Sequence, residues 1–135
     1  MELGKIIYLQ KIHDPRGNLT VAEQLKDVPF SIKRAYWVYD VPAGESRGGH
    51  AHKTLSQLLI ATSGSFTVTL DNGKLKERFL LNHPWQALFI RPGIWRTLDD
   101  FSSGAVCLCL ASDIYKEEDY IREYPSYLEY LKCLK

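Results

Sequence analysis

Two histidines separated by a single residue are the clearest candidates for chemistry in this sequence of 135 residues. His50 and His52 follow a pair of glycines in segment 47–53, which reads Arg-Gly-Gly-His-Ala-His-Lys. Alternate side chains of a β-strand point to the same face, so a strand here would place both imidazoles on one side. Two imidazoles on one face inside a barrel form either half of a metal site or an acid/base pair, and the residues around them must decide which.

Glycines around the histidines, together with a second segment further along the chain, form a recognisable motif spacing. Gly44 precedes the pair, Gln57 and Gly64 follow it, and segment 91–96 reads Arg-Pro-Gly-Ile-Trp-Arg. This spacing resembles the two motifs of the cupin superfamily, a small jelly-roll barrel whose inward residues include three histidines and a glutamate. The resemblance implies that Gln57 stands at the carboxylate position and Arg96 at the position of the third histidine.

These two departures argue against a metal site. A neutral amide is a poor ligand, and a guanidinium group stays protonated and cannot bind a metal. A divalent ion beside Arg96 would also be repelled in a cavity of low dielectric constant. We therefore expect no metal and no other cofactor, and we interpret His50 and His52 as a proton-transfer pair beside a cation that stabilises a negative oxygen. An alternative is that both histidines lie on the surface of a polar strand.

Basic and aromatic side chains indicate that an anionic ligand binds near the histidines. Arginines at a barrel mouth would suit a diphosphate through bidentate contacts, and aromatic rings could stack on a nucleobase. Tyr36 and Trp37 must face opposite sides of a strand, so one of them is expected in the core. Each basic residue could equally be a solvated surface charge. The candidate substrate-binding residues are Arg16, Arg34, Tyr36, Arg47, Gln57 and Trp95.

Composition excludes several functions. The 17 basic and 16 acidic residues give a formal net charge of +1, so no overall field attracts the protein to nucleic acid or membranes. No apolar run suits a signal peptide or a membrane span. Cys107 and Cys109 lie in an apolar run, which predicts buried core thiols in a cytoplasmic protein.

Short apolar or alternating segments separated by turn signals predict an all-β barrel. The hairpin signal Asp71-Asn-Gly73 is strong, and no crossover helix fits between the segments. We expect a single domain over 1–135 with a short C-terminal helical segment. Helical patterns cover 117–122 and 126–134, with Ser126 as a cap of the second. The predicted strands are 6–12, 19–23, 32–41, 50–53, 57–62, 65–70, 76–81, 85–90 and 105–111.

Motifs along nearly the whole chain are similar to those of a narrower family, the sugar-nucleotide 3,4-ketoisomerases, which act on dTDP-4-keto-6-deoxyglucose. The resemblance implies a metal-free cupin homodimer whose N-terminal strands are exchanged between subunits. It also implies that the keto group moves from C4 to C3, and that the product feeds an aminotransferase making a 3-amino-3,6-dideoxyhexose for surface glycans. The matching segments are 29–36, 47–53, 92–96, 100–102, 111–115 and 118–122.

The same resemblance assigns roles to individual residues. It implies that His50 is the main base, that His52 orients it or shuttles protons, and that Arg96 and Arg47 stabilise an enediolate or the diphosphate. The family varies at the positions of Arg16 and Arg96, which we interpret as determinants of the face on which C4 is protonated. Their combination here leaves the product configuration open, with Arg96 favouring gluco.

Three other functions stay open. A dTDP-sugar 3,5-epimerase would use similar residue types, but it needs a longer chain and an inward His–Asp pair with a tyrosine acid, which is not evident in the sequence. A non-catalytic nucleotide-sugar-binding cupin would bind the ligand without turnover. A metal dioxygenase would require bound iron or another metal, which Gln57 and Arg96 oppose.

Overall fold

The chain folds into a β-sandwich with one helix at its C-terminal end. The structure is a computed structural model that describes residues 2–134. In chain order the elements are β1 (Lys5–Tyr8), β2 (Gln10–Ile12), β3 (Leu19–Val21), β4 (Arg34–Tyr39), β5 (Arg47–His52), β6 (Gln57–Ser63), β7 (Phe66–Asp71), β8 (Lys76–Leu81), β9 (Gln86–Ile90), β10 (Trp95–Asp99), β11 (Val106–Ala111), a 3₁₀ turn (Glu117–Asp119), β12 (Tyr120–Ile121) and α1 (Tyr124–Cys133).

The strands form two five-stranded sheets and a small hairpin. The first sheet has the order β1-β9-β6-β11-β4, the second has the order β12-β5-β10-β7-β8, and β2 pairs with β3 alone. Neighbouring strands are antiparallel, and many neighbours are distant in sequence. This is the jelly-roll arrangement of the cupin barrel, so the predicted fold class is confirmed.

The main core lies between the two sheets. Cys107 and Cys109 are 0% and 3% exposed and form part of it, which confirms their prediction as buried thiols. Burial of each large aliphatic side chain stabilises the fold by roughly 1.5–3 kcal/mol. The other contributors include Leu59, Ala61, Leu88 and Ile90 from the first sheet and Phe66, Val68, Leu70 and Leu98 from the second.

Both sheets are also covered on part of their outer faces. Val28 and Phe30, from the connection between β3 and β4, pack on the outside of the first sheet. Tyr127 of α1 is fully buried against Ala51 and Trp95 on the outside of the second sheet. This double coverage explains why strands such as β6 read as continuous apolar runs rather than as alternating patterns.

Strand β4 shows simple alternation. Arg34, Tyr36 and Val38 are partly buried, whereas Trp37 and Tyr39 on the other face are 58% and 59% exposed. The prediction that Tyr36 and Trp37 face opposite sides is therefore confirmed, and Tyr36 is the member that packs against the core.

The segment 117–122 corrects a helical prediction. It forms a 3₁₀ turn followed by β12, in which Tyr120 pairs with His52 and Ile121 pairs with Ala51. The acidic residues at 117–119 suit the start of a helix, but the edge of β5 offers backbone partners that only a strand can use. The helix α1 begins at Tyr124 after Glu123, so Ser126 lies inside it and is not its cap.

Two further boundaries differ from expectation. The first predicted strand is divided at Leu9 into β1 and β2, and β10 is a strand that the sequence reading treated only as a motif. Within residues 2–134, no helix has the length and apolar character needed to cross a membrane.

Candidate active site

The two histidines project from one side of β5. Their ring centroids are 4.9 Å apart and the rings meet edge to face at 86°. Ala51, between them, points the other way into the cluster under α1. The strand alternation expected from the spacing is therefore present, and it places both imidazoles between the sheets.

A glycine bulge sets the register of this strand against β10. Gly48 and Gly49 have φ values of 83° and 65°, which side chains other than glycine rarely adopt. His50 pairs with Arg96, but Gly48 pairs with the next residue, Thr97, so Gly49 is the extra residue of a bulge. A Cβ atom on Gly48 would also lie 3.2 Å from the backbone oxygen of Arg96. The glycine pair thus allows the close approach of His50 and Arg96.

Arg96 is a buried cation whose guanidinium group donates hydrogen bonds to two neighbouring residues. Its side chain is 1% exposed, and its Nη1 donates to Gln57 Oε1 at 2.6 Å. Its Nε and Nη2 donate to the backbone oxygen of Ile94 at 3.3 and 2.9 Å. Burial lowers the pKa of Arg96 to about 10, so the group is still protonated near neutral pH.

The surroundings of Arg96 bear on metal binding. The ligating atom of Gln57 is its amide oxygen, and that atom already accepts from Arg96, while the Gln57 amide nitrogen donates to the Tyr36 hydroxyl. Two imidazoles beside a buried cation are a poor donor set for a divalent ion. Among the residues described, no three His, Cys, Asp or Glu side chains cluster as metal ligands.

A cavity opens beside His50 and Arg96. It encloses about 410 Å³ of empty space, its open mouth included. Five of the predicted site residues line it together: His50, Arg96, Tyr36, Arg47 and Gln57. The remaining walls come from Val38, Gly48, Leu59, Leu98 and Cys109.

Three predicted substrate-binding residues lie outside this cavity. Trp95 alternates with Arg96 on β10, so it faces outward and packs against Tyr124 and Tyr127, with ring centroids 5.2 and 5.6 Å away. Arg16 is in an exposed turn, where its Nε donates to Asp14 at 3.0 Å and its side chain is 90% exposed.

Arg34, the third of these residues, lies near the histidines but does not line the cavity. Its guanidinium carbon is 5.1 Å from the Tyr36 ring centroid and 5.5 Å from that of Tyr115, and Nη2 donates to the Tyr120 hydroxyl at 3.4 Å. Arg34 therefore connects to the histidines through Tyr120 rather than lining the cavity.

His52 lies behind His50 and has neighbours that the sequence reading missed. Its Nδ1 is 3.1 Å from Asp119 Oδ2, and the Tyr120 ring centroid is 4.3 Å from its own. Segment 118–122 was one of the motifs that carried the family resemblance, and this was the available signal. The inward His–Asp pair with a neighbouring tyrosine, which is not evident in the sequence, is therefore present. Its absence cannot serve as an argument against a 3,5-epimerase, and that expectation is corrected.

Both imidazoles are held neutral. Burial, followed by the charge of Arg96, lowers the pKa of His50 to about 4. Burial and then Arg96 and His50 lower the pKa of His52 to about 3, although Asp119 acts in the opposite direction. The Nε2 atoms of both rings are buried and have no hydrogen-bond partner within residues 2–134. Each is therefore an unprotonated acceptor or a donor according to its tautomer.

These pKa values predict a fold that loses stability in acid. Unfolded histidines bind protons below about pH 6.5, whereas folded His50 and His52 do so only near 4 and 3, so the unfolded state holds more protons in between. The free energy of unfolding should fall by on the order of 2 kcal/mol per histidine between pH 7 and pH 5. Urea unfolding at both pH values measures it.

Matched variants assign this effect to the buried pair. His50→Asn should remove about half of the pH dependence. His13→Asn, which removes an exposed histidine outside the buried pair, is the matched control. Equal dependence in wild type and His50→Asn would contradict the assignment.

Comparison with known proteins shows which family the chain belongs to. The FdtA family model, described as WxcM-like, C-terminal, matches residues 3–132. A TDP-4-oxo-6-deoxy-alpha-D-glucose-3,4-oxoisomerase from Aneurinibacillus thermoaerophilus is 44% identical over 128 residues, which are 95% of this chain and 92% of that protein.

Solved structures point to the same family. One is a His-to-Asn mutant of the 3,4-ketoisomerase QdtA from Thermoanaerobacterium thermosaccharolyticum in complex with TDP-4-keto-6-deoxyglucose. Its TM-score is 0.95 and its sequence identity is 38%, and the match covers 98% of this chain and 96% of that one. Another is the TDP-quinovose 3,4-ketoisomerase WlaRB from Campylobacter jejuni, with a TM-score of 0.89, 44% identity, and coverage of 96% and 99%. The chain belongs to the sugar-nucleotide 3,4-ketoisomerase family, described as FdtA: WxcM-like, C-terminal.

Proposed function

We propose that this protein moves the keto group of TDP-4-keto-6-deoxyglucose from C4 to C3. The observation that carries the proposal is the cavity shared by His50, a neutral buried imidazole, and Arg96, a buried guanidinium. A neutral imidazole can accept a proton from carbon, and a fixed cation stabilises the oxyanion that results. The 44% identical relative is named for this activity, and the QdtA mutant was solved with this sugar nucleotide.

The reaction needs only proton transfers. His50 Nε2 takes the C3 proton, the C3–H electrons form a C3=C4 double bond, and the negative charge moves to the C4 oxygen. The enediolate then loses its O3 proton as C3=O forms, while C4 and its oxygen each gain one proton. The substrate and product are isomers, so no oxidant or reductant takes part.

The low pKa of His50 is compatible with this role. A base with a pKa of about 4 is unprotonated throughout the neutral range, although it is weaker than free imidazole. As negative charge develops beside it, the imidazolium form is favoured and its pKa rises. Arg96 and Arg47 are proposed to stabilise the enediolate and the diphosphate, with Arg34, Gln57 and the phenol of Tyr36 as further contacts. Burial raises the pKa of Tyr36, so it remains a proton donor.

Turnover in deuterated water tests the reaction. Incubation with TDP-4-keto-6-deoxyglucose should give a 3-keto sugar that has lost its C3 hydrogen and gained deuterium at C4, as read by NMR. Exchange at C3 and C5 without migration of the keto group would instead indicate a 3,5-epimerase. Binding of TDP without turnover would indicate a sensor.

The product is proposed to have the gluco configuration and to feed an aminotransferase that makes a 3-amino-3,6-dideoxyhexose. Arg96 and the TDP-quinovose relative at 44% identity support gluco, because quinovose is 6-deoxyglucose. The coupling constant of the C4 hydrogen in product made in ordinary water distinguishes the two configurations, and a galacto value would refute the proposal.

The working unit is proposed to be a cytoplasmic homodimer with exchanged N-terminal strands. Apolar side chains on β2, β3 and β4 support it, since Ile12, Leu19, Trp37 and Tyr39 are 43–59% exposed. In such a dimer Arg16, in the turn between β2 and β3, would approach the partner's cavity, whereas Trp95 would stay packed under α1. The free thiols Cys107 and Cys109 suit a reducing compartment. Sedimentation at monomer mass would contradict the dimer.

A further inference from the structure

The two carboxylate oxygens of Asp119 have different partners. Oδ1 accepts from the backbone N–H of Thr54 at 2.8 Å and from the Thr54 hydroxyl at 2.7 Å. Oδ2 lies 3.1 Å from His52 Nδ1. The backbone nitrogen of Lys53 donates to the Asp119 carbonyl at 2.9 Å, and Tyr120 pairs with His52, so the main chain fixes Asp119 beside the ring. Asp119 is 8% exposed.

These contacts determine which nitrogen of His52 carries the proton. Burial opposes ionisation of Asp119, but its hydrogen bonds, chiefly the two from Thr54, hold its pKa below the ordinary value, so it is an ionised carboxylate that can only accept. The contact with Nδ1 is then a hydrogen bond only if Nδ1 bears the hydrogen. His52 is neutral near pH 7, so its Nε2 must be the bare nitrogen.

We propose that Asp119 is a positioning residue that holds His52 in the Nδ1–H tautomer. This leaves the Nε2 lone pair on the ring edge opposite Asp119, in a ring whose centroid is 4.9 Å from that of His50. His52 can then accept a proton at Nε2 and return it during the isomerisation. The effect on turnover depends on the proposed function, but the tautomer itself does not. The family resemblance implies that His52 orients His50 or shuttles protons, and it assigns no role to Asp119.

A single substitution reverses this arrangement. Thr54 offers two donors to Oδ1, and its backbone N–H can only donate. In Asp119→Asn the amide oxygen must therefore occupy the Oδ1 position, which turns the NH₂ group towards His52 Nδ1. That nitrogen must then accept, and the proton moves to Nε2. Asparagine is nearly the same size as aspartate, so the substitution changes the tautomer with little change in packing.

The test combines histidine NMR with kinetics. The chain contains four histidines. Variants that each lose one histidine assign the signals of the long-range ¹H–¹⁵N spectrum to individual rings. Wild type, without substrate, should show a protonated Nδ1 and a bare Nε2 at His52, and Asp119→Asn should show the reverse. The kcat of Asp119→Asn should fall by about 10²–10⁴-fold with TDP affinity retained, as expected when an imidazole that takes part in proton transfer has the wrong tautomer.

The controls separate this role from general stability. Glu129→Gln removes an exposed carboxylate of α1, and it should change neither the His52 spectrum nor turnover. A protonated Nε2 in wild type, an unchanged tautomer in Asp119→Asn, or full activity of that variant would each overturn the proposal. If Asp119→Asn does not fold, the wild-type spectrum alone decides. If wild type shows the Nδ1–H form but no ketoisomerase activity, the proposed function fails while the tautomer assignment stands.

Discussion

Replacing His50 with asparagine will lower kcat by about 10²–10⁴-fold, the usual contribution of a general base. Asparagine retains a hydrogen-bonding side chain of moderate size, but it has no group that can take the C3 proton. The other polar walls of the cavity, including Arg47 and Gln57, are unchanged. TDP affinity should therefore survive, and exchange of the C3 hydrogen with deuterated water should stop. Substrate NMR and TDP calorimetry measure the two effects.

A second histidine supplies the matched control. His83 stacks on Trp85, with ring centroids 4.3 Å apart, and it does not line the cavity. His83→Asn should retain full exchange and turnover. Undiminished C3 exchange in His50→Asn would remove His50 as the base and leave His52 as the remaining imidazole of the site.

Replacing Arg96 with methionine will lower kcat by about 10²–10³-fold, as expected for loss of one donor to an oxyanion. The same change removes the cation that, after burial, contributes most to lowering the pKa of His50. That pKa should therefore rise above about 4 while staying below its ordinary value, because burial remains. The acid limb of kcat/KM should move to higher pH with it. NMR titration of His50 and pH–rate profiles measure the two shifts.

Arg96→Lys separates charge from geometry. Lysine keeps a cation near the histidines, so the pKa of His50 should stay low, but it lacks the planar fork that contacts both Gln57 and Ile94. Turnover should therefore fall although the pH profile changes little. Arg96→Met leaves buried acceptors without a donor, and Arg96→Lys offers them one in a different position, so unfolding curves must accompany the kinetics. A His50 pKa that is the same in Arg96→Met as in wild type would refute the electrostatic assignment.

The cavity residues could be predicted because their spacing reflects local geometry. Strand alternation places His50 and His52 on one face, and the glycines before them mark the bulge that brings Arg96 opposite. The same rule applied to β10 would have shown that Trp95 cannot share the cavity with Arg96. That error came from treating segment 91–96 as a motif rather than as the start of a strand.

Asp119 and Tyr120 could not be placed by local reasoning. Residues 117–119 favour a helix start by composition, and their actual conformation depends on backbone pairing with β5, far away in sequence. Strand positions were largely predictable from apolar patterns, whereas the order of strands in each sheet was not predicted, because the resemblance implied only the jelly-roll fold. Pairings such as β11 with β6 depend on long-range packing that periodicity does not specify.

The contact between His52 and Asp119 joins two parts of the chain that are made at different times. The residues that line the cavity lie between positions 36 and 109, whereas Asp119 follows β11, the last strand of the first sheet. During synthesis, the cavity walls emerge from the ribosome before the carboxylate that fixes the tautomer of His52. A barrel whose last segment has not yet paired with β5 would contain His50 and the buried Arg96 and still lack the proposed proton arrangement of His52. We therefore expect full activity to require that the segment that follows the barrel pairs with β5.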